Sequence, residues 1–120
     1  MSASARSIFV FGIYLVVIGI ALLVVPNLML KLFLLPPTEE VWVRVVGMLT
    51  LFLSFYFIQA ARSEMTEFFR WTVYTRCTTI VFLVGLVFFA YASPFLIPFG
   101  LVDLLGAIWT GMALRSATTA

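Results

Sequence analysis

The stretch Ile8–Val25, IFVFGIYLVVIGIALLVV, decides how this chain must be read. It lies inside a charge-free run from Ser7 to Leu30, and it is apolar on every face of a helix. A helix rises about 1.5 Å per residue, so about 20 mainly apolar residues cross roughly 30 Å of hydrocarbon. Pro26 and Asn27 end the run and fix a first span near 8–25. Arg6 before it gives the stretch the look of a secretory leader. Leu23, Val24 and Val25 offer no small-x-small cleavage site, however, so the helix is read as retained.

Working outward, the same reading gives three more spans, near 41–61, 71–92 and 95–114. None alternates apolar and polar residues as a barrel strand would. Composition agrees. The 120 residues are 64% hydrophobic and 10% charged, whereas soluble domains run at about 45–50% and about 25%. The mean hydropathy is +1.21. The expected fold is all-α: a single transmembrane domain over residues 1–120, an integral membrane four-helix bundle running up-down-up-down.

The links carry matching chemistry. Pro36-Pro37 cannot continue a helix, so Thr38 is expected to cap the second span, with Glu39 and Glu40 in its first turn. Thr66-Glu67 repeats that logic for the third span, and Arg62 closes the second with the favourable sign. Ser93-Pro94 makes a tight hairpin of the last two spans, and Pro98 sits in the first turn of the fourth. Leu28–Leu35, LMLKLFLL, reads either as a short amphipathic segment in the interface or as an extended loop on the bundle. Arg6, Arg62, Arg70, Arg76 and Arg115 fall on the side of both termini, against Lys31 and Arg44 on the other. That bias places both termini in the cytoplasm and the chain in the inner (cytoplasmic) membrane as a multi-pass protein.

In lipid, helices associate through close packing at small residues and through interhelical hydrogen bonds. Gly12 and Gly19 repeat at seven in the first span, Gly47, Ser54 and Ala61 in the second, and Gly85 and Ala92 in the third. Gly106 and Ala113 do so in the fourth, beside the pair Ala107 and Gly111. These are expected to be packing stripes. Trp42, Trp71 and Tyr91 sit at span ends, as an interfacial belt requires.

The sharpest polar feature is Asp103. It lies eight residues past Phe95, so about 12 Å deep. An unpaired Asp there costs about 2.5–3.5 kcal/mol, so it must face the interior and find a partner or a proton. Arg44 and Arg76 lie roughly 5 Å and 8 Å deep from opposite faces, and each is a candidate partner. Thr79 and Thr110 complete a polar interior, with Thr72, Thr75 and Thr78 beside Arg76 and Ser54 on the Arg44 side. Three uses stay open. It is a structural intramembrane ion pair, a site for a headgroup or small ligand, or a proton- or ion-coupled site.

Other chemistry is excluded. The chain has no His and one cysteine, Cys77, so imidazole metal ligands, His general bases, intrachain disulfides and CxxC pairs are absent. No metal site, cofactor or catalytic residue is expected. A net charge of +2 from scattered residues makes no nucleic-acid surface.

The pattern GIALLVVP at Gly19–Pro26, then LFLLPP at Leu32–Pro37, then VRVVGMLTLF at Val43–Phe52, resembles the DoxX-like group of small four-helix bacterial membrane proteins. The resemblance covers about the first half of the chain. It implies a four-helix bundle, often a subunit beside a redox or lipid enzyme, and carries over no catalytic residue. The leading expectation is therefore a non-catalytic structural or accessory subunit, surrounded by membrane lipid and packed against other membrane subunits or itself. The alternative is a lipid- or small-ligand-binding or transport protein that uses the Arg44–Asp103–Arg76 interior.

Overall fold

The computed structural model describes residues 1–89 and 94–119, with side chains through 116. It is all-helical, with no strand among the described residues. The helices are α1 (Ala3–Val24), α2 (Pro26–Leu32), α3 (Val41–Arg62), α4 (Thr66–Phe88) and α5 (Ile97–Thr119), the last entered through a single 3₁₀ turn at Pro94–Leu96. Four of them, all but α2, are long and apolar enough to cross a membrane. The expected C-terminal end of the third span at Ala92, the belt residue Tyr91 and Ser93 of the expected hairpin lie outside the described residues.

Helix boundaries follow local chemistry. α1 starts five residues earlier than the apolar run, because the Ser2 hydroxyl accepts the Ala5 amide at 3.1 Å and caps it. Pro26 opens α2, as a residue with no amide hydrogen can at the first helical position. α2 makes Leu28–Leu32 of the Leu28–Leu35 segment helical, and Phe33–Leu35 form the closure that follows it. Both α2 and α3 end in a paired closure over a left-handed residue. Leu35 bonds back to Leu30 and Leu34 to Lys31, with Leu34 at φ 59°. Met65 bonds back to Ala60 and Glu64 to Ala61, with Glu64 at φ 54°.

The expected caps of the second and third spans are corrected. α3 begins after Glu40, so Glu39 and Glu40 precede its first turn, and the Thr38 hydroxyl accepts the Glu40 amide instead of a helical one. Pro36-Pro37 holds this segment extended, and the Asn27 side chain pins Thr38 through its amide at 2.8 Å. Thr66 is the first residue of α4 and not its cap, because the closure at Met65 has already turned the chain. Glu67 does occupy the first turn of α4.

Packing is uneven. α1 lies against α3 along most of its length, α4 pairs with α5, and α1 joins the two pairs through α5. Each of these three pairs runs antiparallel. α3 and α4 meet near their shared turn, where the Phe57 and Phe68 rings stack edge-on at 5.3 Å. The buried apolar core sits at that end, around Ile8, Phe11, Ala60, Ala61 and Phe69. At the other end α2 folds back, and Phe33 packs on Phe99 of α5 at 4.5 Å.

The glycine stripes of α1 and α3 mark the tightest seam. A Cβ on Gly47 would meet the Leu23 backbone nitrogen at 2.7 Å and the Gly19 carbonyl oxygen at 2.8 Å. One on Gly19 would meet the Gly47 carbonyl oxygen at 3.0 Å, and one on Gly12 would meet Ile58 at 2.9 Å. Ser54 and Ala61 are buried on the same stripe as Gly47. Gly85 is the exception. A Cβ there meets nothing within 4 Å, because α4 turns that side away from α5. Its place in the α4–α5 hairpin is taken by Gly100, where a Cβ would lie 2.7 Å from Ile80.

Candidate functional site

Asp103, Gly106, Ala107 and Thr110 fall on one stripe of α5, spaced at three and four residues so that they share a face. Opposite them on α4 stand Thr72, Arg76 and Thr79, again three or four apart. α1 contributes Ser4, Ser7, Phe11 and Tyr14 at the same spacing. The three stripes converge on the Arg76 side chain, which is 3% exposed.

The hydrogen bonds around Arg76 have a fixed direction. Its Nε donates to the Thr72 carbonyl at 3.3 Å, and its Nη2 donates to the Thr72 hydroxyl at 3.2 Å and the Thr110 hydroxyl at 2.9 Å. The Ser7 hydroxyl gives its one proton to the Ser4 carbonyl at 2.6 Å. It must therefore accept from Thr110 across their 2.7 Å contact. The chain runs from the guanidinium through Thr110 and Ser7 to the Ser4 carbonyl, crossing three helices. Thr110 is fully buried and Ser7 is 1% exposed, so nothing here is shared with bulk solvent.

Nη1 of Arg76 is left over. It is buried with no hydrogen-bond partner. It points at the bare Gly106, where a Cβ would sit 3.0 Å away. The face of the Phe11 ring lies 4.7 Å from the guanidinium carbon. A desolvated cation over an aromatic face gains about 2 kcal/mol, which offsets part of the cost of the unmet donors.

Asp103 lies seven residues before Thr110, roughly 10 Å along α5. Its carboxyl lies near Thr79, whose hydroxyl donates to the Thr75 carbonyl at 3.1 Å, and feels the charge of Arg76 from a distance. Among the described residues no cation comes within 4.0 Å of it. The expected intramembrane ion pair is thus corrected. Arg76 is instead anchored by its bonds to Thr72 and Thr110.

Arg44 takes no part in this interior. It is exposed and donates to the Leu23 carbonyl. Pro26 has no amide, and the chain turns there, so the last carbonyls of α1 lack helical partners. A guanidinium near a helix C-terminus satisfies one of them. Of the five residues expected in the polar interior, the fold gathers Arg76, Thr79, Thr110 and Asp103 and sends Arg44 elsewhere. Ser7, Phe11 and Tyr14 were not anticipated. Their signal was the spacing Ser4, Ser7, Phe11 and Tyr14, a polar and aromatic stripe at the start of an otherwise aliphatic helix.

Asp103 also faces a cleft of about 330 Å³ between α1, α3 and α5, roofed by α2 and the segment after it. Leu15, Ile18, Leu22, Val43 and Val46 form much of its wall, with Phe99 near the roof. Tyr14, Thr50 and Asp103 supply the polar groups. Cys77 is half-buried on α4 outside this cleft. Among the described residues, no three metal-binding side chains come together.

Compared with protein-family models, with curated proteins and with solved structures, the chain matches none.

Proposed function

We propose that this chain is a membrane protein that binds a small apolar or amphiphilic molecule in the cleft between α1, α3 and α5. One observation carries the reading: an apolar cleft of about 330 Å³ with a carboxyl side chain in its wall, deep within a lipid-soluble chain. Small-molecule sites have this character, with a mostly apolar lining, few polar groups and volumes of about 300–1,000 Å³. In the proposed setting the protein lies in the inner membrane with both termini in the cytoplasm, as the distribution of Lys and Arg favours.

A second reading is the accessory subunit. It draws support from how little of each helix is covered. The most apolar windows of the four long helices are 28%, 17%, 11% and 17% buried within the chain. The remainder faces lipid or a neighbour. Kinship with the DoxX-like group, proposed from the motifs of the first half, fits either reading.

Gentle extraction from the native membrane followed by native mass spectrometry separates the two. The binding reading expects the chain alone or as a small homo-oligomer, carrying a small-molecule mass that a cleft-filling Val46→Trp variant loses. Release of the chain with larger subunits in fixed ratio, and with no small-molecule mass, would overturn it in favour of the accessory role.

A further inference from the structure

We infer that the cleft selects molecules with a cationic head, an alkylammonium or similar organic cation, and that Asp103 is the group that holds it. This rests on the binding reading above and goes further by assigning the charge of the ligand. The argument is one of which charge is reachable. Asp103 is in the cleft wall. Among the described residues no Lys or Arg lies within 4.0 Å of it. The three cations closest in sequence logic are each engaged or absent from the cleft. Arg76 is tied by Nε and Nη2 to Thr72 and Thr110. Arg44 caps α1 at Leu23. Lys31 lines a different depression, beside Pro36 and Pro37.

An anion has no equivalent place. Among the described residues, the one buried side-chain donor without a partner is Nη1 of Arg76, which stands behind Phe11 and Gly106. Neither Arg76 nor Phe11 is part of the cleft wall. A carboxylate or phosphate in the cleft would therefore meet Asp103 before it met Arg76. A cation gains the carboxylate in a low-dielectric setting, where such attraction is strong. The rings of Tyr14 and Phe99, both in the wall, add aromatic faces that favour a cation over a neutral head. Arg76 then serves as a fixed countercharge that offsets the cost of Asp103 without occupying its coordination sphere.

The test uses three probes with one tail: octylammonium, octanol and octanoate. Each is titrated by calorimetry against the full chain in zwitterionic lipid nanodiscs, with binding to empty nanodiscs subtracted. Octylammonium is expected to bind at least about tenfold more tightly than octanol, with octanoate weakest. In Asp103→Asn the preference for octylammonium over octanol collapses to within about twofold while octanol binding is unchanged, and in Asp103→Glu the preference persists. Equal binding of octylammonium and octanol by the native chain would overturn the inference while leaving the binding reading intact. Tightest binding of octanoate would also overturn it and move the anchor to Arg76. Persistence of the cation preference in Asp103→Asn would overturn the assignment to that residue. If none of the three probes binds, the binding reading itself falls. Should Asp103→Asn fail to fold, the ranking by the native chain still decides the charge preference.

Discussion

Along the α1–α3 seam, glycines bring two backbones together, with Gly19 and Gly47 set so that a single added carbon would strike main-chain atoms. At the junction of α1, α4 and α5, a guanidinium fills the space, two threonine hydroxyls accept from it, and Ser7 bonds to one of them. The first region is held by shape and the second by directed hydrogen bonds. In lipid, where helices have no hydrophobic reason to associate, either kind of contact would hold them together. The difference lies in tolerance. A backbone contact has nowhere to move, whereas a long side chain held at one edge can shift its free edge.

The largest effect is therefore expected on the seam. Gly47→Leu should cost about 3 kcal/mol or more, since overpacking against main-chain atoms cannot be relieved by a rotamer change. Gly85→Leu, of the same size and also at a glycine in a helix interior, should stay within about 0.5 kcal/mol of neutral, because its surroundings are open. Equilibrium unfolding in mixed micelles measures both. Equal losses at the two sites would erase the distinction between a packed glycine and an idle one.

The junction responds next. Thr110→Val keeps the shape of the fully buried side chain and removes its hydroxyl. Arg76 then loses an acceptor and Ser7 loses a donor, for an expected loss of about 1–3 kcal/mol. Ser7→Ala, at the far end of the chain of bonds, should cost less, because Thr110 still accepts from Arg76. If Ser7→Ala proved the costlier of the two, the direction of that chain would be reversed.

These two regions were not equally legible in the sequence. The heptad spacing of Gly12 with Gly19, and of Gly47 with Ser54 and Ala61, identified the seam, because a helix turns such residues to one side whatever the partner. It could not exclude Gly85, which has the same spacing and no neighbour. The α5 stripe of Asp103 and Thr110 and the α4 polar run around Arg76 were visible for the same reason. What spacing could not supply was rotamer and reach. Depth along the helices placed Arg44 and Arg76 within range of Asp103, yet each found an acceptor nearer its own backbone level, Leu23 for one and Thr72 for the other. Ser7 shares the stripe of Ser4, Phe11 and Tyr14, but that spacing does not say which residue it meets across the bundle.

A smaller effect concerns the charges. In a double-mutant cycle, Arg76→Met and Asp103→Asn should couple by no more than about 1 kcal/mol. The two side chains share no contact, and breaking a closed buried pair would cost about 3–5 kcal/mol instead. Unfolding free energies of the two single variants and the double variant give the number directly. A coupling of about 3 kcal/mol or more would restore the ion pair and remove Asp103 as a vacant anchor.

The smallest effect belongs to the exposed end where the two regions meet. Ser2 donates its amide and its hydroxyl to the two oxygens of Glu64, each at 2.7 Å, and so ties the start of α1 to the α3–α4 turn. The Ser2 side-chain bond, followed by the Ser2 backbone bond, holds the Glu64 carboxyl below its ordinary pKa of 4.5. A carboxylate whose folded pKa is depressed adds stability that is present above the unfolded value and is lost as pH falls through the folded one. The unfolding midpoint of the native chain should thus be insensitive to this group from neutral pH down to about 4.5 and should decline below it. Other carboxyls titrate in the same range, so the quantity to read is the difference from Glu64→Gln. That difference should shrink as the pH drops, because protonation does to the native side chain what the substitution does permanently. Because Glu64 is fully exposed, solvent screens the clamp, and the shift should be smaller than any change at the seam or the junction. A difference that grew on acidification would mean that the clamp works through something other than the ionised carboxylate. The tie between the glycine seam and the arginine junction would then have to be sought in the backbone closure at Ala60 and Met65 instead.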